Sequence, residues 1–81
     1  MKLKIYGVPG LEAVEKLRDQ LQRADLRGLR LESYADGAAV FSAVPRRQDP
    51  QEFASAVLRG DSLGLELEAA GPQEVVFSLP R

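Results

Sequence analysis

Leu29-Arg30-Leu31-Glu32-Ser33-Tyr34-Ala35-Asp36-Gly37-Ala38-Ala39-Val40-Phe41-Ser42-Ala43-Val44-Pro45 is the stretch on which the reading of this chain turns. Leu29 to Tyr34 alternates apolar and polar residues, as a strand with two unlike faces does. Asp36-Gly37 is the pair favoured in the two-residue type I′ turn, whose twist matches antiparallel strands. Ala38 to Val44 then returns without a charge. A strand that avoids charge on both faces belongs near the middle of a sheet. A two-residue turn sets the register. Ser33 faces Val40, Leu31 faces Ser42 and Leu29 faces Val44 on one side, taken as the core side. Tyr34 faces Ala39, Glu32 faces Phe41 and Arg30 faces Ala43 on the other.

Upstream, Lys2 to Val8 alternates Leu3 and Ile5 against Lys2, Lys4 and Tyr6, and Pro9-Gly10 ends it. From Leu11 to about Ala24, the residues Leu11, Val14, Leu17, Leu21 and Ala24 recur every three or four positions, one apolar stripe of a helix. Asp25 to Gly28 is expected to stop that helix. Downstream, Pro45-Arg46-Arg47-Gln48 is a polar loop. Asp49-Pro50-Gln51-Glu52 combines an N-cap residue, a first-turn proline and a glutamate three positions after the cap. It opens a second helix over Pro50 to about Arg59, with Phe53, Ala54, Val57 and Leu58 inward and Gly60 after its end. Leu63 to Ala69 alternates again, Gly71-Pro72 turns the chain, and Val75 to Leu79 is a last strand whose register stays open.

A weak internal repeat runs through this order. Leu26-Arg27-Gly28, Leu29-Arg30-Leu31-Glu32 and Val40-Phe41-Ser42 have counterparts in Leu58-Arg59-Gly60, Leu63-Gly64-Leu65-Glu66 and Val76-Phe77-Ser78. Each copy is a helix followed by two strands, and a first strand precedes both.

The expected fold is therefore an α/β (α+β) domain over residues 1–81, in βαββαββ order. It is a ferredoxin-like two-layer sandwich, a mainly antiparallel sheet with two helices on one face. Leu3, Ile5, Leu29, Leu31, Val40, Val44, Leu65 and Leu67 face the helices, with Leu17 and Leu31 fully buried. The opposite face is open and carries Lys4, Tyr6, Arg30, Tyr34, Phe41, Glu66 and Phe77.

Composition narrows function. The chain has no cysteine and no histidine, so disulfides cannot form and the usual zinc, copper and iron–sulfur ligands are missing. A Ser-His-Asp or Cys-His centre cannot be assembled from it. The expectation is no enzyme, no cofactor and no metal. No apolar run reaches the ~18 residues of a membrane helix, and no signal-peptide pattern opens the chain, so a cytoplasmic protein is expected. Net charge is −1, with nine basic and six acidic residues in 1–47 against two and six in 48–81. Such a split either neutralises itself inside the fold or joins copies head to tail.

The βαββαβ order and open sheet face are shared with RNA-recognition domains. Their signature, set on Asp36-Gly37-Ala38-Ala39-Val40-Phe41-Ser42-Ala43, matches only at Gly37 and Ala39 and lacks every stacking aromatic. Heavy-metal-associated domains also share the order, but Gly7-Val8-Pro9-Gly10 holds no Cys-x-x-Cys. At the level of architecture the chain resembles the small assembly domains of bacterial secretion, pilus and envelope machinery. That resemblance implies contacts with other proteins. The function expected is a non-enzymatic protein–protein interaction or assembly module, whose partner is another protein or a second copy of itself in a self-associating form. Its candidate partner-binding residues are Tyr6, Arg30, Tyr34, Phe41, Arg46 and Arg47. The alternative is nucleic-acid or small-ligand binding on the open sheet face.

Overall fold

A computed structural model describes residues 1–23, 26–45, 49–59 and 63–79. The chain forms β1 (Lys2–Tyr6), α1 (Leu11–Arg23), β2 (Leu26–Ala35), β3 (Ala38–Pro45), α2 (Pro50–Arg59), β4 (Glu66–Ala70) and β5 (Glu74–Ser78). The strands make one mixed sheet in the order β2-β3-β1-β5-β4. β1 lies at its centre, antiparallel to β3 and parallel to β5. The hairpins β2–β3 and β4–β5 flank it. A ferredoxin-like sheet would set an antiparallel strand on the far side of β1. Here β5 takes that place in parallel and pushes β4 to the edge, so the expected arrangement is corrected on this point.

One side of the sheet is the core. Leu3, Ile5, Ala39, Phe41, Ala43, Val75 and Phe77 are buried there against Val14, Leu17 and Leu21 of α1 and Phe53, Ala54 and Val57 of α2. Both helices therefore cover the same face. Small Ala39 and Ala43 on either side of Phe41 leave room for that ring beneath the helices. Leu11 does not join the stripe; it is exposed, and Gln20 is buried in its helix instead. Asp49 caps α2 as expected, accepting a hydrogen bond from the Gln51 N–H at 2.9 Å. Gly60 lies outside the described residues. β2 begins at Leu26, so Gly28 sits inside a strand, at an irregularity between Arg27 and Arg30, rather than ending the helix.

The hairpin turn forms as expected: Asp36 and Gly37 have φ of 53° and 76°, the left-handed pair of a type I′ turn. Ala35↔Ala38, Tyr34↔Ala39 and Ser33↔Val40 follow. The register then changes. A bulge at Glu32 leaves that residue without an opposite number, and Leu31 meets Phe41. The facing of β3 is the opposite of the expected one along its whole length, starting next to the turn: Ala39, Phe41 and Ala43 are in the core, and Val40, Ser42 and Val44 lie on the open face. In β2 the bulge returns Leu31 to the helix side, where it sits at the sheet edge. Phe41 is in the core at 0 % exposure, while Leu31 is 41 % exposed and Val44 and Leu67 are also exposed. Phe77 is fully buried too.

The second hairpin repeats the first. Each residue meets its counterpart 36 positions on: Leu31↔Phe41 becomes Leu67↔Phe77, and the bulge at Glu32 recurs at Glu68. The bulged glutamates even do the same work. Glu32 accepts a hydrogen bond from the Ser42 hydroxyl at 2.7 Å, and Glu68 accepts one from Ser78 at 2.6 Å. The repeat is thus real in structure, but Leu31-Glu32 corresponds to Leu67-Glu68, not to Leu65-Glu66.

Candidate functional site: sheet edges and open face

The sheet face away from the helices was the first candidate. Its central strands present Lys2, Lys4 and Tyr6 from β1, Val40, Ser42 and Val44 from β3, and Glu74, Val76 and Ser78 from β5. Lys4 and Glu74 form an ion pair at 3.2 Å, which joins the basic first part of the chain to its acidic end within the fold. At half-exposed positions such a pair is worth about 0–1 kcal/mol. The expected aromatic cluster does not form. Phe41 lies beneath the helices. Tyr34 is half-buried on the core side, and its hydroxyl donates to the Val8 carbonyl at 2.9 Å. The same Val8 donates its N–H to Gly37 O at 2.9 Å, so Tyr34 and the turn together pin the end of the first strand. Tyr6 and Arg30 are exposed on the open face; Arg46 and Arg47 lie outside the described residues.

A groove of about 810 Å³ opens at the C-terminal end of β1, between the loop Gly7–Gly10, the first turns of α1, Leu63 and Leu79. Its charged groups, Glu12 and Lys16, are four apart on the helix and suited to each other. Gly7 is fixed there by close packing. Its φ is 76°, and a Cβ would stand 2.9 Å from the Leu79 carbonyl oxygen. No group of three or more His, Cys, Asp or Glu side chains is placed to hold a metal among the described residues. No described helix is long and apolar enough to cross a membrane.

The two outer edges remain. β2 is ten residues long and β4 five. Each has one side without a strand neighbour among the described residues. The hydrogen-bond alternation shows which backbone groups point outward. Ala43 bonds to Met1 of the segment entering β1, with its N–H donating to Met1 O at 3.0 Å. Along an antiparallel strand successive residues bond to opposite neighbours, so Val40 and Ser42 bond to β2. Arg30, opposite Ser42, spends its backbone groups inward, and Leu31 directs its own outward.

Set against family models, curated proteins and solved structures, the chain finds no match in any of the three. The reading of function therefore rests on the chain's own geometry.

The β2 edge was legible only in part. Arg30 was singled out from the sequence, but as a member of an aromatic face. Leu31 was assigned to the core. The signal that would have found the edge is the pair Leu31-Glu32 and Leu67-Glu68, which repeat at the same spacing as Phe41 and Phe77.

Proposed function

We propose that this chain is a non-enzymatic protein–protein assembly module, a variant of the ferredoxin-like sandwich that joins other chains by extending its sheet. The observation that carries this reading is the ten-residue edge strand β2. It offers outward backbone groups, and beside them the large apolar side chain of Leu31 is 41 % exposed. Bulges and charges blunt such edges, and the irregularities of β2 on either side of Arg30-Leu31 confine the regular outward segment to these residues; addition of a strand there is a recurrent mode of recognition. The open face supports binding less well. It is mostly charged and hydroxylic, with Tyr6 as its exposed aromatic. Base stacking, the sequence-tolerant part of single-strand binding at ~1–3 kcal/mol per base, has only that ring to use there.

Light scattering over a rising concentration series tests the reading. A mass that climbs above the 8.9 kDa of one chain is expected. A monomer at every concentration, together with salt-sensitive binding of single-stranded RNA, would replace it with the nucleic-acid alternative.

A further inference from the structure

The internal repeat supplies a comparison between the two edges of the same sheet. β2 reads Arg30-Leu31-Glu32 where β4 reads Glu66-Leu67-Glu68. Both leucines are exposed on the helix side of their edges, at 41 % and 37 %. Both segments have the same bulge, and both bulged glutamates take a serine hydroxyl from the neighbouring strand. The difference that bears on association is the charge at the first position of the triplet: Arg30 in one hairpin, Glu66 in the other.

That difference decides what each edge can pair with. Two β2 strands related by a two-fold axis run antiparallel, and an axis at Leu31 sets Leu31 against itself. Arg30 then faces Glu32 of the second copy, and Glu32 faces its Arg30. These residues share the open face, so two opposite-charge pairs form side by side. On the other face the two exposed leucines cover each other. Leu31 also has outward backbone groups, so it can exchange hydrogen bonds with its copy across the axis. The same operation on β4 sets Glu66 against Glu68 twice and repels. Joining β2 to β4 of a second copy with the leucines opposed sets Arg30 against Glu68 but Glu32 against Glu66, one attraction and one repulsion. The ranking follows from the charges alone: β2 with β2, then β2 with β4, then β4 with β4.

Resting on the assembly reading above, we infer that the partner of the β2 edge is a second copy of this chain, bound through an antiparallel β2–β2 contact centred on Leu31. The result is a two-fold dimer with one continuous sheet of ten strands and all four helices on one side. β4 is the closed edge, kept apart by its glutamates as inward or edge charges do elsewhere. An isologous contact of this kind is self-limiting, so assembly stops at two.

Sedimentation of the wild type and three variants over the same concentrations tests this. All three altered positions, Arg30, Glu32 and Glu66, are exposed, and thermal melts check that each variant is folded. The wild type should reach a dimer, weakened by salt. Arg30→Glu makes β2 resemble β4 and should weaken the dimer by about tenfold or more, since like charges placed opposite each other cost several kcal/mol. The exchange R30E/E32R restores opposite charges across the axis and should recover dimerisation. Glu66→Arg makes β4 resemble β2 and should turn the dimer into chains that lengthen with concentration. If the wild type dimerises but Arg30→Glu, folded, dimerises as well as it does, the β2 contact is wrong and the assembly reading stands. An exchange variant that is folded but stays monomeric overturns the register. A wild type that remains monomeric throughout overturns self-association itself.

Discussion

Replacing Phe41 and Leu31 in turn tests the facing of the first hairpin, with Phe41 in the core and Leu31 at the edge. Phe41 is fully buried between β3 and the helices, and truncating such a ring to alanine costs ~3–5 kcal/mol. Leu31 is 41 % exposed at the edge. Fully burying a leucine contributes about 1.5–3 kcal/mol, so a side chain little more than half covered contributes about 1. Truncating it opens no enclosed cavity either, because one side already meets solvent. A chain of 81 residues has a stability of about 4–12 kcal/mol at the usual per-residue range. With a urea slope near ~1 kcal/mol/M, the low end expected for a small domain, Phe41→Ala should lower the midpoint by about 3 M or more and leave a variant close to unfolded. Leu31→Ala should lower it by about 1 M. Phe41→Leu, which keeps most of the volume, should cost less than ~1.5 kcal/mol and confirm that the alanine effect is a packing effect. The measurement is equilibrium unfolding at a protein concentration where the wild type is monomeric, so that dimer dissociation does not enter. If Leu31→Ala costs more than Phe41→Ala, the facing of β3 and the exposed edge position of Leu31 are wrong, and so is pairing through β2.

Three further substitutions probe the frame that holds the edge. Gly7→Ala should destabilise the fold by roughly 1–3 kcal/mol, as strained left-handed backbone at a crowded site does; an unchanged thermal midpoint would mean the Leu79 carbonyl does not approach as described. Asp49→Ala removes the cap of α2 and should cost ~1 kcal/mol, read as a lower urea midpoint, while Asp49→Asn should be nearly neutral. Tyr34→Phe keeps the ring but removes the hydroxyl that Val8 O accepts, which should cost ~0.5–1.5 kcal/mol in the same assay. No loss there would place the Val8 carbonyl in water.

The sequence carried the elements well because each has a local cause. The apolar stripes of Leu17 and Leu21 and of Phe53 and Val57 repeat with helical spacing. Asp49-Pro50 marks a helix start, and Asp36-Gly37 a type I′ turn. What it did not carry was set by contacts between distant residues. The facing of β3 is a choice between burying Phe41 with Ala39 and Ala43 and burying Val40 and Val44, and the larger ring takes the core; the bulge at Glu32 then keeps Leu31 on the helix side. No local rule in Leu31-Glu32-Ser33 announces that outcome. The place of β5 was equally hidden, because Val75-Val76-Phe77 can pair in either direction. In the fold it runs parallel to β1, and bonds from Lys2 N–H to Gln73 O and from Leu79 N–H to Tyr6 O close the two ends of that pairing. Once Phe41 and Phe77 are inside, the aromatic surface disappears and the unpaired edge is what remains.

Amide signals of the labelled chain, followed by NMR across a dilution series, show whether the chain works through the β2 edge, with Leu67 as a built-in control in the same chemical setting. Concentration should move and protect the Leu31 amide and its neighbours on β2, leaving Leu67 on β4 and Lys4 on the open face unchanged. Equal changes at Leu31 and Leu67, or changes centred on Lys4, Tyr6 and Val76, would contradict it.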